Sequence, residues 1–84
     1  MNTSQAAGAN TADAEIGARI TNAILVKRTN QKALSDATGI AYATLRRSLT
    51  GGRSLTVREI SIIADTLEVP AVTLLPASLV WAAA

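Results

Sequence analysis

The sequence predicts an all-α fold, a compact bundle of four to five helices, and three observations carry that prediction. The 84 residues are 49% hydrophobic, yet the apolar side chains are mostly Ala, Ile, Leu and Val, with one Trp, one Tyr and no Phe. That mix suits closely packed helices better than a β-sandwich. Apolar residues recur at three- and four-residue spacing rather than alternating, and helix-starting or helix-ending residues bound most of these segments. The length fits one small domain held together by its core. With no Cys and no His, the sequence has no disulfide, none of the usual zinc, iron or copper sites, and no His- or Cys-dependent catalytic group.

Residues 1–12 are rich in Ala, Asn, Thr, Ser and Gly without periodicity and read as a disordered tail. A first helix is expected from about residues 11–13 to Arg28, with Ile16, Ile20, Ala23 and Ile24 on one face. Asp13 and Glu15 at its start and Lys27 and Arg28 at its end suit the helix dipole. Gly17 inside it costs roughly 1 kcal/mol relative to Ala, which close packing against another helix would explain. Asn30 can cap a second helix over residues 31–38, with Leu34 and Ala37 inward and Gly39 ending it in a left-handed conformation. Ile40 then fills the elbow before a third helix, residues 41 or 42 to 50, which buries Leu45 and Leu49 and stops at Gly51 and Gly52.

Thr56 and Glu59 form a capping box. They open a fourth helix to about Leu67, with Val57, Ile60, Ile63, Ala64 and Leu67 as its apolar stripe. Pro70 suits the first turn of a short fifth helix through Leu75, which Pro76 interrupts. Residues 13–76 thus read as the folded domain and 77–84 as an apolar C-terminal segment.

Charge is unevenly distributed along this plan. The net charge is only +2, but Lys27, Arg28, Lys32, Arg46, Arg47, Arg53 and Arg58 face Asp36 alone, a local balance of +6. The remainder, Arg19 against Asp13, Glu15, Glu59, Asp65 and Glu68, carries −4. Such separation suits one face turned to a polyanion; a solvated charged surface is the plain alternative. The carboxylates are scattered and no Gly-rich phosphate loop follows a strand, so no enzyme activity and no cofactor are expected.

The second helix, the Gly39 turn and the basic third helix together read as a helix-turn-helix, the device that presents side chains to a DNA major groove. With Leu45 and Leu49 inward, Ala43, Arg46, Arg47 and Thr50 point away and Tyr42 leads the helix. Tyr42, Ala43, Thr44, Arg46 and Arg47 are therefore the candidate base contacts. An arginine bonded to guanine O6 and N7 contributes about 1–3 kcal/mol of discrimination. Tyr42 equally suits covering the core, and Ala43 a plain helix position. Asn30, Gln31, Lys32, Thr50, Arg53, Ser54 and Arg58 are the candidate DNA backbone contacts, Gln31 at the start of the second helix and Arg53 and Ser54 in the loop beside the fourth helix's N-terminus. Asn30 also serves as a cap, and Arg58 also sits in a capping turn.

The run of residues 30–75 resembles the lambda-type repressor and Cro proteins, the XRE family of helix-turn-helix proteins. The matching positions are Gln31, Leu34, Gly39, Ile40, Leu45, Gly51 and the stretch IADTLEVPAVTLL. The resemblance implies a lambda-repressor-like bundle, base contacts at Tyr42, Ala43 and Arg47, and a phosphate contact at Gln31. It points to a small phage-type repressor or Cro acting as a transcriptional regulator. Two positions depart from the family: Ser35 stands where Ala is usual, and Ser48 where an apolar residue is usual. Leu49 takes the packing role instead, which leaves open whether Arg46 or Arg47 reads bases.

The expected partner is a double-stranded DNA operator bound by a homodimer, because one unit covers only a few base pairs and paired half-sites lie about 34 Å apart. Leu79, Val80 and Trp81 are the candidate dimerisation residues, with Leu74 and Leu75 completing the core. No signal sequence or membrane span is evident, so a cytoplasmic protein of a bacterial cell or infected host, associated with the nucleoid, is expected. No small-molecule ligand is evident. The alternative function is a protein-interaction module on the same scaffold, such as an antitoxin-like partner.

Overall fold

The hydrophobic stripe Ile16, Ile20 and Ile24 is buried along the first helix, α1 (Asn2–Val26), and this helix forms one wall of an all-helical bundle. The computed structural model describes residues 2–76 and contains four α-helices followed by one 3-10 turn. α1 begins well upstream of the expected start near residues 11–13. Ala6, Ala7 and Ala9 are strong helix formers, which favours a helical backbone there. At its other end Arg28 adopts a left-handed conformation (φ 58), and the Thr29 N–H donates to the Ile24 carbonyl at 3.1 Å, closing the last turn.

α2 (Gln31–Thr38) starts where the Asn30 side chain accepts the Ala33 N–H at 2.8 Å. It ends where Gly39 turns left-handed (φ 82) and donates to the Ser35 carbonyl at 3.0 Å. Its inward residues are Leu34 and Ser35, whereas Ala37, expected inside, is exposed. The reason is chemical: the Ser35 hydroxyl donates to the Ile40 carbonyl at 2.6 Å and satisfies a backbone group of the turn. Thr38 helps from the other side, its hydroxyl donating to the Leu34 carbonyl at 2.8 Å and accepting the Ile40 N–H at 3.3 Å. Ile40 is partly buried against the core.

After this three-residue turn, α3 (Tyr42–Leu49) packs on α1 and α2. Its contact with α1 is a backbone approach. Gly17 is buried against the Leu49 carbonyl, and at Gly51 (φ 86) an added methyl would lie 3.1 Å from the Ala14 Cα.

α4 (Val57–Leu67) opens with the complete capping box of Thr56 and Glu59 and buries Ile60, Ile63, Ala64 and Leu67. Val57, expected on that stripe, is 84% exposed. It occupies the first turn, and Leu55, just ahead of the cap, packs against the core in its place. The expected fifth helix is a single 3-10 turn, Ala71–Leu74, too short between Pro70 and Pro76 for a stable α-helix. Leu74 is buried and Leu75 partly buried, so both complete the core, and the turn lies on α4 and α1. Among the described residues, no helix is long and apolar enough to cross a membrane.

Candidate nucleic-acid interface

The burial of Leu45, Ser48 and Leu49 fixes the roll of α3. One residue advances about 100° around a helix, so a stripe at these three positions leaves Tyr42, Ala43, Arg46, Arg47 and Thr50 exposed, with Thr44 half-buried at the flank. Ser48 and Leu49 therefore both face inward, and both arginines face out. Tyr42 is 42% exposed and belongs to this outer surface rather than to the core. Its ring centroid lies 5.9 Å from the Arg46 guanidinium carbon, near the limit for a cation–π contact. Ala43, Arg46, Arg47 and Thr50 line one shallow depression, and the Thr50 hydroxyl donates to the Arg47 carbonyl at 3.0 Å.

The cations differ in what they already hold. Arg19 pairs with Glu15 at 2.8 Å, Lys32 with Asp36 at 2.9 Å, and Arg53 with Glu59 at 3.0 Å. Arg46, Arg47 and Arg58 make no ion pair among the described residues, nor do Lys27 and Arg28. Lys27 and Arg28 were counted in the basic segment but not among the candidate contacts. Lys27 borders a depression shared with Ala33, Leu67 and Glu68, which contains no α3 residue.

Apart from Thr50 at the end of α3, the candidate backbone contacts fall in two places. Asn30, Gln31 and Lys32 sit at the start of α2, where the Asn30 side-chain oxygen is occupied as a cap and its amide nitrogen makes no hydrogen bond among the described residues. Ser54 and Arg58 flank the start of α4, and the Ser54 hydroxyl donates to Asp13 at 2.7 Å, tying this loop to α1.

Arg53 is already engaged within the bundle. Its loop position suggested a phosphate anchor, but its side chain is only 27% exposed. One guanidinium nitrogen donates to the Ser48 hydroxyl at 2.9 Å and to Glu59 at 3.1 Å, and the other to Glu59 at 3.0 Å. The guanidinium is thus partly buried and already bonded to Ser48 and Glu59. Nothing in the spacing of residues 48, 53 and 59 marks this; the burial of Ser48 emerges only in the folded structure. Leu79, Val80 and Trp81 lie outside the described residues.

Glu59 closes the network by accepting the Thr56 N–H at 2.9 Å. The hydrogen bond from Arg53, and next that from Thr56, hold its carboxyl below the ordinary value of 4.5. Ionised Glu59 thus favours the folded state above about pH 4.5, and this contribution is lost as pH falls through the lower folded-state value. The urea unfolding midpoint is expected to drop more steeply below about pH 4.5 in the wild type than in Glu59→Gln. Parallel profiles would show that the pair contributes nothing measurable to folding.

No protein-family model matches the chain, and no curated protein matches it.

Proposed function

We propose that the protein is a sequence-specific double-stranded DNA-binding regulator of transcription, a lambda-repressor-like bundle whose α2 and α3 form the helix-turn-helix. In this reading α3 enters the major groove, and two copies bind a two-fold operator. One observation carries the proposal. Arg46 and Arg47 stand exposed on the face opposite Leu45, Ser48 and Leu49, without a carboxylate partner among the described residues, while Arg19, Lys32 and Arg53 all have one. A free guanidinium beside small side chains such as Ala43 and Thr50 suits bidentate bonding to guanine. The capped start of α2, with Gln31 and its first N–H groups, suits a backbone phosphate.

The test is fluorescence anisotropy on duplexes selected by the chain from a random library and on scrambled controls, each titrated with salt. Binding is expected to weaken with salt, with a log–log slope of about −0.9 for each phosphate neutralised, and to favour the selected duplexes. Absence of salt-dependent binding to every duplex would remove the proposal.

A second reading, an interaction module for another protein, draws on a different surface. Ala18, Ala23, Val26, Val69, Pro70 and Leu74 line an apolar depression between α1 and the 3-10 turn. That reading gains only if DNA binding fails.

A further inference from the structure

We infer that Arg53 is a positioning residue, setting which bases the protein prefers by fixing the roll of α3 without touching DNA. The inference rests on the DNA-binding reading. α3 is a helix of eight residues whose first cap, Ala41, offers no side-chain hydrogen bond. Leu45 and Leu49 hold it by apolar contact, which is non-directional. The third inward residue is different. Ser48 is 1% exposed, and its hydroxyl accepts from Arg53 at 2.9 Å.

The same guanidinium is clamped from below by both Glu59 oxygens, at 3.1 and 3.0 Å. Glu59 is itself fixed by the Thr56 N–H at 2.9 Å, while its own N–H donates to the Thr56 hydroxyl at 3.0 Å. A directional chain therefore runs from the rigid first turn of α4 to the inner face of α3, through a planar donor whose geometry a lysine cannot copy.

The outer face feels this chain through leverage. A helix with its side chains has a radius of about 5–6 Å, so a roll of about 10° moves an outward group by about 1 Å. Hydrogen bonds to base edges tolerate a spread of only about 0.5 Å. Contacts to phosphate, which rest on charge, survive the same displacement. Loosening the clamp should therefore cost sequence preference before it costs overall attraction to DNA.

The experiment compares the full-length wild type with Arg53→Ala, Arg53→Lys and Ser48→Ala, each kept at a temperature where circular dichroism shows it folded. Ser48→Ala retains the pair of Arg53 with Glu59 and so guards against loss of the fold. Affinities are measured for a duplex selected by the wild type and for its scrambled control, across a salt series. Amide hydrogen exchange of α3 is followed without DNA. All three variants are expected to lose about 10-fold in the preference for the selected duplex, about the worth of one bidentate base contact. The salt slope should stay unchanged, and exchange should quicken in α3 but not in α2.

A uniform loss of affinity with the slope reduced by about 0.9, rescued by Arg53→Lys, would overturn the inference, because Arg53 would then be a phosphate contact. A lowered melting point with the preference intact would overturn it as well. A wild type that prefers no duplex removes the DNA reading rather than the clamp. The clamp is then judged by exchange alone, upheld if protection falls selectively in α3 and overturned if it does not.

Discussion

Gly17→Ala is expected to lower the stability of the domain by about 3 kcal/mol, and its melting temperature by roughly 15 °C. In an exposed helix interior the same change stabilises by about 1 kcal/mol, because alanine is the better helix former. Here the new methyl would meet the backbone of α3: it would overlap the Leu49 carbonyl oxygen and lie 2.7 Å from the carbonyl carbon and 3.0 Å from the Cα. No side-chain rotation relieves a clash with backbone. α1 would have to withdraw from α3, opening gaps around Ile16, Ile20, Leu45 and Leu49, and the cost of the overlap joins the cost of the voids. For a domain of this size the loss is a large share of the total stability. Gly39→Ala is the control. It has nothing within 4 Å and suffers only its left-handed backbone (φ 82), a cost of about 1 kcal/mol. Thermal unfolding followed by circular dichroism checks both. A Gly17→Ala protein melting within a few degrees of wild type would mean that α1 and α3 are not so close.

The double replacement Arg46→Ala with Arg47→Ala should do the reverse, sparing the fold and removing the proposed activity. Both residues are exposed, so stability should change by less than about 1 kcal/mol, mainly through loss of the contact between Arg46 and the Tyr42 ring. If each arginine contributes about 1–3 kcal/mol at a base edge, the pair together contributes about 2–6 kcal/mol, a weakening of roughly 30-fold to 20,000-fold on the preferred duplex. The single variants separate their roles. The base reader relaxes preference at one position of the site, whereas a phosphate contact weakens all duplexes alike and reduces the salt slope by about 0.9. A double variant that binds as the wild type does would place the interface elsewhere on the molecule.

Much of the fold was legible because local rules agree with the packing. The spacing of Ile16, Ile20 and Ile24, the capping box at Thr56 and Glu59, and the left-handed Gly39 each act within one helix or turn, and the structure repeats them. The failures share a cause of the opposite kind. Ser35 displaces Ala37 from the inner face because a hydroxyl finds a carbonyl five residues on. Val57 faces solvent in the first turn of α4, while Leu55, ahead of the cap, packs against the core. Arg53 turns inward because Ser48 and Glu59 arrive from two different helices. A hydrophobic period cannot register a polar residue satisfied at a distance. The outward face of α3 was readable in outline, since the spacing of Leu45 and Leu49 places it coarsely, while Ser48 as part of the inner face required the three-dimensional partner.

α3 also divides its duties residue by residue. Leu45, Ser48 and Leu49 attach the helix to the bundle, and Tyr42, Ala43, Arg46 and Arg47 are left with no structural task beyond remaining helical. If α3 reads DNA as proposed, substitutions at those four positions would redirect the protein to a new target without renegotiating its architecture. Because these side chains are exposed, a library randomised at only these positions should yield mostly folded proteins, with the skeleton standing still while the outer face varies.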